Sequence, residues 1–580
     1  MPAINIEVST VFTEIADLLD IQGANPFRIR AYRNAARTLG DMSADLKVMI
    51  ERGDDLTEIP GIGKDLAAKV REIVETGSCS MLKRLQQEVP PAVSELLHIP
   101  GLGPKRVSTL WHELDIQSVA QLQRAARAER IRHLPGFGIK TEQKILEAAN
   151  ARLDSTRRMN LHVAEQYAEQ LTKFLRKING VKNVAVAGSY RRMRETVGDL
   201  DILVAAADGH TVIEQFARLS DVREILAQGE TRCSVVLRSG VQVDLRLVPN
   251  ECYGAALLYF TGSKAHNIAL RRLARDRSLK INEYGIFKGN NRLAGNTEES
   301  MYRAVGLPWI APELREDLGE IEAAMSHKLP RLVELKDLRG DLHVHTKASD
   351  GQDSIVAMAE AAREHGLSYI AITDHSRRLT VAHGLDSVRL AKQADEIKRV
   401  SKTLSRVQVL AGVEVDILED GRLDLPDSIL AEMEVVVAAV HSKFEMPKAQ
   451  QTKRIIAAIN NPYVHILAHP SGRLINERQP CEIDMQQVMR HAKARGVALE
   501  LNSNPQRLDL NDTYCRMARD EGVTVVINSD AHAIAGFGDL RFGIGQARRG
   551  WLEKKNILNT RTLADLKAFL RKRGVRNASQ

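Results

Sequence analysis

Cysteine is scarce in this sequence. Its five cysteines (Cys79, Cys233, Cys252, Cys481 and Cys515) are scattered over 580 residues, with no C-x-x-C pair. That argues against a disulfide framework or a cysteine-based zinc site and suits a reducing cytoplasm. Long apolar runs are missing too. No run is longer than VVVAAV at 435–440, which is far too short to span a bilayer. The opening residues, MPAINIEVSTVFTEIADLL, lack a basic stretch followed by an apolar core, so no signal peptide is expected. No low-complexity tail or docking motif stands out. The expectation is a soluble cytoplasmic protein with no membrane partner. A strong charge imbalance is also lacking: 82 basic against 74 acidic residues give a net +8, slight evidence by itself for a polyanionic partner. At this length one core does not suffice, and three or four compact units are expected.

The first 150 residues read as helices joined by glycine turns, almost without β-branched alternation. A repeat lies within them: IPGIGKDLAAKV from Ile59, IPGLGPKRVSTL from Ile99 and LPGFGIKTEQKI from Leu134. Proline ends one helix, and the glycine pairs (Gly61 and Gly63, Gly101 and Gly103, Gly136 and Gly138) allow a tight turn with positive φ. The next helix then begins with unpaired N–H groups that favour a phosphate, and Lys64, Lys105 and Lys140 add charge. One copy would read as a plain helical pair. Three copies point to helix-hairpin-helix units that grip a nucleic-acid backbone without reading its sequence. A monovalent cation is an expected companion of these motifs.

From about residue 155 to 250 the period changes to short strands: VKNVAVAGSY, LDILVAA, SVVLRS and VQVDLRLV. A helical stretch is expected to follow to about 315. Residues 316–338 read as a charged helical linker with a proline break. After 339, seven strands alternate with helices (GDLHVHT, YIAITDH, VQVLAGVEV, VVVAAVHS, VHILAHP, VALELNS and TVVINSDAH), which implies parallel strands with helical crossovers, most simply a barrel.

In GDLDILV the strand period puts Asp199 and Asp201 on one face; in VQVDLRLV, Asp244 shares the polar face with Gln242 and Arg246. If these strands are neighbours, three carboxylates converge. Such charges repel unless hard cations lie between them, and Mg²⁺ takes carboxylate oxygens while leaving positions for phosphates. That is the two-metal arrangement for phosphoryl transfer. GSYRR, Gly188 to Arg192, precedes it: a glycine-serine turn opening a helix, with arginines to meet phosphate oxygens.

GSYRRMRETVGDLD resembles the nucleotidyltransferase signature of the family X DNA polymerases, and YFTGSKAHNIALR (Tyr259–Arg271) resembles a second motif of that family. The resemblance covers about residues 1–315. It implies that Asp199, Asp201 and Asp244 are catalytic and bind Mg²⁺. It places Gly188, Ser189, Arg192 and Gly198 at the incoming triphosphate, Tyr259 at its sugar, Asn267 at the base edge and Arg271 at the templating strand. NPFRIRAYRNAARTL resembles a small lyase domain, and Lys69 falls where that domain keeps its Schiff-base lysine. Arg28 and Asp65 stand where supporting lysines would be, so lyase activity is a lesser expectation.

In DLHVHTKASDG, His343 and His345 share a strand face, with Asp350 close behind. His375, Glu414, His441, His469, Asp530 and His532 follow at the C-terminal ends of later strands, the face where parallel barrels assemble active sites. Six histidines and three carboxylates suit Zn²⁺ or Mn²⁺, and nine ligands exceed the needs of one ion, so two or three are expected. Metal-assisted hydrolysis of a phosphoester is the matching chemistry. This part resembles the PHP domain, with its nine-ligand set in order. Asn502 and Asn504 are expected to hydrogen-bond nearby or to turn the chain.

The fold expected is therefore multidomain. Residues 1–88 form a lyase-like helical domain with a helix-hairpin-helix, and 89–154 a fingers-like helical domain with two more. Residues 155–250 form an α+β nucleotidyltransferase palm, 251–315 a thumb-like nucleotide-selection subdomain, 316–338 a linker and 339–575 a (βα)7-type PHP barrel. The combination resembles bacterial and archaeal family X polymerases. It implies a DNA-dependent DNA polymerase that fills short gaps in base excision repair, acting on gapped or primer-template DNA and deoxynucleoside triphosphates. The barrel would add a 3′–5′ exonuclease, with abasic-site or 3′-phosphate cleavage as further options. Two alternatives stand beside this: a polymerase whose barrel is structural only, and a small-phosphate hydrolase with a DNA-binding arm.

Overall fold

The computed structural model describes residues 3–576 apart from 23, 43, 90–92, 94, 100, 156, 157 and 207. The chain forms two compact units, residues 1–159 with 476–478 and residues 160–475 with 479–580.

The first unit is helical around one apolar core that runs from Val8 to Ala149. Its helices start where short polar side chains satisfy the first N–H groups. Asn25 accepts from Phe27 N with Pro26 in the first turn, Asp45 from Lys47 N and Ser118 from Gln121 N. The three repeats share one geometry. Ile62, Leu102 and Phe137 donate backbone bonds to Ile59, Ile99 and Leu134, three residues back. Gly61, Gly101 and Gly136 take φ of +80°, +85° and +81°, where an L side chain would cost about 1–2 kcal/mol. The second glycines behave otherwise than the sequence suggests: Gly63 and Gly103 are extended N-caps of Lys64–Thr76 and Pro104–Leu114, at φ −81° and −86°. Lys64 and Lys140 are exposed at the starts of their helices; the side chain of Lys105 lies outside the described residues.

The second unit begins with a five-stranded sheet, in the order Val181–Val186, Leu200–Ala206, Gln242–Val248, Arg232–Leu237, Val222–Gln228. The central pair, Leu200–Ala206 with Gln242–Val248, is parallel and its neighbours are antiparallel. Leu200, Ile202, Val243 and Leu245 are buried, as their period of two requires. Helices Tyr253–Thr261 and Lys264–Asp276 follow. The expected helical run to 315 does not hold. Lys280–Asn282, Gly285–Lys288 and Asn291–Ala294 form an antiparallel sheet, because Glu283-Tyr284 and Gly289-Asn290 supply two tight turns between short strands. Residues 316–338 are packed rather than extended. Glu320 is fully buried, and Ile321 and Ala324 of helix Glu320–Met325 join a core shared with Leu314 and Trp551.

From Gly340 the seven expected strands form one parallel sheet in sequential order. An isolated parallel bridge, Val344 to Ala531, joins its two ends, so the sheet is a nearly closed barrel. Alternate residues of each strand separate into two apolar clusters. Leu410, Val435, Val437, Ala439, Ile466, Ala498 and Val526 fill the interior with Leu566 and Leu570 of the last helix. Val409, Val413, Val436, Ala438, Leu499 and Val525 meet the surrounding helices. Followed toward the strand ends, the interior positions become Glu414, His441, Glu500 and Asp530. The same periodicity that builds the core therefore carries polar side chains to one rim.

Candidate functional site

The strand register settles the carboxylate geometry. Asp201 stands directly opposite Asp244 across the parallel pair, and Asp199 lies on the same face. One ligand oxygen from each of the three lies within 4.8 Å of the others. Burial, then the charges of Asp199 and Asp244, push the Asp201 carboxyl up to about 7. This concentration of negative potential is what a divalent cation relieves. Asp244 is oriented by the Ser234 hydroxyl, which donates to Oδ1, and by Gln242 Nε2, 2.9 Å from Oδ2.

The turn that precedes this strand is fitted to the cluster. Gly188 has φ +62°, and a Cβ there would stand 2.4 Å from Asp201 Oδ2. No other residue fits, which explains the first glycine of the signature. Ser189 shares the short helix Gly188–Arg191, and Gly198 lies in the turn before Leu200. Both arginines are anchored from far along the chain. Arg191 Nη1 and Nη2 donate to Glu298 at 2.7 and 2.8 Å. Arg192 donates through Nε to Glu316 Oε1 at 3.0 Å and through Nη1 to the Thr261 carbonyl at 2.5 Å. The second motif closes on itself beside them. Asn267 Nδ2 donates to the Tyr259 carbonyl at 2.7 Å, and the Arg271 guanidinium lies 5.2 Å from the Tyr259 ring centre. The structure thus gathers every residue expected from the two motifs into the palm and the adjoining helices. Glu298, Glu316 and Ser234 were not singled out by sequence.

The histidine cluster is assembled at the barrel rim. Three overlapping groups each offer ligand atoms within 4.8 Å: His345 with Asp350, His375 and His532; His343 with His345 and Asp530; and His375 with Glu414 and His441. His469 adjoins them, with Nε2 3.1 Å from Glu414 Oε1. All nine expected residues meet in one place. His469 and Asp530 take positive φ, +25° and +56°, backbone conformations that non-glycine residues adopt mainly where function holds them.

The cluster is oriented from behind by carboxylates that the sequence reading passed over. Glu500 Oε1 accepts from His343 Nδ1 at 2.7 Å, which leaves Nε2 facing Glu414 and Asp530. Asp416 lies 3.0 Å from His441 Nδ1, with Nε2 toward Glu414. This carboxylate–histidine pairing fixes a tautomer for a metal. Asn502 donates to both Glu500 and Asp530, whereas Asn504 accepts from Gln506 N and turns the chain.

Charge in the cluster is uneven. Burial disfavours a charged His375, but Glu414 and Asp350 outweigh it and lift the ring to about 10. Burial, reinforced by His532 and His375, lowers His345 to about 4. The buried atoms His343 Nε2, both ring nitrogens of His345, Glu414 Oε2 and His469 Nδ1 have no hydrogen-bond partner among the described residues. Each such orphan costs about 1–3 kcal/mol, and divalent cations would satisfy them together. Histidine nitrogens with carboxylate oxygens fit a small group of borderline metal ions.

Comparison with known proteins follows the same division. The chain matches a helix-hairpin-helix domain over residues 4–79, a SAM-like helix-hairpin-helix tandem over 93–151 and the DNA polymerase beta palm over 158–236. It matches the DNA polymerase beta thumb over 256–316 and the PHP domain over 341–504. It is 40% identical to the DNA polymerase/3'-5' exonuclease PolX of Bacillus subtilis (strain 168) over 570 residues, 98% of this chain and 99% of that one. It is 29% identical to a probable phosphatase of Thermoanaerobacter sp. (strain X514) over 244 residues, 40% of this chain and 94% of that one. DNA polymerase lambda of Arabidopsis thaliana is 24% identical over 306 residues, 46% of this chain and 54% of that one.

Proposed function

Because the chain belongs to the family X DNA polymerases that carry a PHP domain, we propose that it fills short gaps in DNA and trims 3′ termini, with one site for each task. The observation that carries this reading is the pairing of Asp201 with Asp244, with Asp199 beside them and Gly188 pressed against Asp201. Asp199, Asp201 and Asp244 would hold Mg²⁺, which when bound activates the primer hydroxyl and neutralises the triphosphate. Gly188, Ser189, Arg192 and Gly198 receive the triphosphate, Tyr259 and Asn267 border sugar and base, and Arg271 meets the template. The helix-hairpin-helix glycines and Lys64, Lys105 and Lys140 contact the DNA backbone without selecting sequence.

At the barrel, two or three Mn²⁺ or Zn²⁺ ions would be held by the nine rim residues and when bound supply a water of lowered pKa. Glu500 and Asp416 keep His343 and His441 in the ligating tautomer. The domain limits read from sequence, 1–88, 89–154, 155–250, 251–315, 316–338 and 339–575, form part of the proposal. So do a cytoplasmic location, which suits five buried free thiols, and a place in base excision repair. Lyase chemistry at Lys69 gains less support. Its ammonium lies 2.5 Å from Asp65 Oδ1, an ion pair that would have to open before the amine could reach a sugar. Borohydride trapping on a 5′-deoxyribose-phosphate end tests it directly.

The experiment uses end-labelled DNA with a one-nucleotide gap, in Mg²⁺ or Mn²⁺, with and without deoxynucleotides. Asp244→Ala abolishes extension and leaves shortening; His441→Ala does the reverse. Abasic and 3′-phosphate substrates in the same series define the scope of the barrel. Shortening that survives His441→Ala in a highly purified preparation removes the nuclease assignment. Failure of the unaltered protein to extend the primer removes the polymerase assignment.

A further inference from the structure

The helix Leu540–Arg549, which follows the seventh barrel strand, lies against the turn that follows the phosphate cradle of the palm. Gly545 sits so close that a Cβ there would come 2.5 Å from Met193 Cε. Gln546 Nε2 donates to the Met193 carbonyl at 2.8 Å, and Arg549 Nη1 donates to the Arg192 carbonyl at 2.9 Å. Met193 itself has φ +54°, a conformation costing a non-glycine residue about 1–2 kcal/mol, and these two bonds fix both carbonyls around it.

The side chains continue the connection. Glu316 Oε1 accepts from Arg192 Nε at 3.0 Å and from Arg549 Nη1 at 2.9 Å. Arg194 Nη1 stands 3.7 Å from the same oxygen. Arg549 is turned toward it by Asp512, whose Oδ2 accepts from Nε and Nη2 at 2.9 and 2.7 Å. Arg549 is buried, Arg192 and Glu316 are each 13% exposed, and Asp512 and Arg194 are more open. Arg473 to Glu195 at 2.6 Å, and Arg541 to Glu165, clamp the two sides of the contact.

We infer that the barrel domain sets the polymerase's triphosphate cradle, with Arg549 and Gln546 as positioning residues that act on Arg192 through its carbonyl, the Met193 carbonyl and Glu316. The inference rests on the reading above that Arg192 meets the triphosphate. The charge balance gives its direction. Arg192, Arg194 and Arg549 against Glu316 and Asp512 leave one positive charge for an anion. Removing Arg549 leaves none, and Glu316 then spends its whole charge on Arg192 and Arg194. The triphosphate would meet a looser and less positive cradle, while the barrel's own metal ligands are untouched.

The test uses the full-length chain carrying Arg549→Ala, Arg549→Lys or Gln546→Ala. Incorporation on gapped DNA, nuclease activity and equilibrium binding of mant-dATP in Ca²⁺ are measured on one preparation of each. In Arg549→Ala, KM for the nucleotide and the mant-dATP Kd rise about tenfold, the loss expected of one charge-assisted hydrogen bond. In the same variant kcat changes by less than about threefold. Gln546→Ala gives a smaller rise, Arg549→Lys restores part of the loss, and nuclease activity stays at the unaltered level. A merely structural contact predicts otherwise: both activities fall together, with KM and Kd unmoved, and that result overturns the inference. So does unchanged KM and Kd in folded Gln546→Ala and Arg549→Lys, should Arg549→Ala fail to fold. If the unaltered protein binds mant-dATP but incorporates nothing, the polymerase reading fails, and Kd in the variants still decides this one.

Discussion

Replacing Glu298 with glutamine should be among the costliest single changes in the palm and its adjoining helices. The side chain is 5% exposed and takes hydrogen bonds from Arg191 at 2.7 and 2.8 Å, Arg315 at 2.6 and 3.1 Å and Trp309 Nε1 at 3.1 Å. Arg315 is fully buried and has Glu298 as its short ionic contact. Burial alone would raise the Glu298 carboxyl, but the two arginines more than reverse that and bring it from its usual 4.5 down to about 2. At 1.36 kcal/mol per tenfold, this amounts to about 3 kcal/mol of stability. The figure agrees with the roughly 3–5 kcal/mol lost when one partner of a buried ion pair is removed. Because the folded pKa is depressed, the stabilisation is full above about pH 4.5 and disappears as pH falls through about 2. Glu298→Gln should therefore lower the melting transition of the second unit by roughly 6 °C at pH 7.5, at about 2 °C per kcal/mol for a large domain. The gap between variant and parent should close as pH falls below about 4.5. Glu299→Gln, at an exposed neighbour, is the control, with an effect within about 0.5 kcal/mol. A Glu298→Gln protein within about 1 kcal/mol of its parent at pH 7.5 would refute the argument.

Glu500→Gln removes the carboxylate behind His343 and should cut nuclease rate or metal affinity by about 10–100-fold while nucleotide incorporation stays at the parent level, as a paired assay would show. Asp201 must lose a proton held at about 7 before it ligates, so apparent Mg²⁺ affinity for incorporation should rise up to about tenfold per pH unit below about 7 and level off above it. That is read from Mg²⁺ titrations at several pH values. Lys64→Ala with Lys140→Ala should reduce the slope of log affinity against log salt by roughly two for duplex DNA, at about 0.9 per phosphate contact, and equally for unrelated sequences. A slope that does not change would take these lysines off the DNA.

Much of this architecture can be read from local periodicity. The seven barrel strands and the rim ligands follow from alternation that ends in histidine or carboxylate, and the pairing of Asp201 with Asp244 follows once two strands with inward Val and Leu become neighbours. Glu500 and Asp416 were within reach of the same rule. Each lies two residues from a ligand or its neighbour on a strand, Glu500 before Asn502 and Asp416 after Glu414, and so on the same face. Glu298 and Glu316 were not. They meet Arg191 and Arg192 from more than a hundred residues away, and in the sequence they look like ordinary solvated acids on short charged helices. The small sheet over Lys280–Ala294 was hidden for another reason: its strands are three and four residues long, below the length at which alternation outweighs a helical reading.

The two ligand sets also suggest how one chain keeps two metal chemistries separate. Asp199, Asp201 and Asp244 offer oxygen alone, and the first two are partly open to solvent. Hard cations held this way keep waters and accept phosphate oxygens, so they can arrive and leave with the nucleotide. The barrel rim offers mostly imidazole nitrogen, with His343, His345 and Glu414 almost fully buried and their hydrogen-bond capacity unmet. Leaving that set without ions costs several orphaned groups at once, so its ions should reside through many turnovers and contribute to the fold. Exchange between the sites is then opposed from both ends. A hard cation gains little from buried imidazoles, and a softer ion leaving the rim would give up contacts that three carboxylates cannot replace.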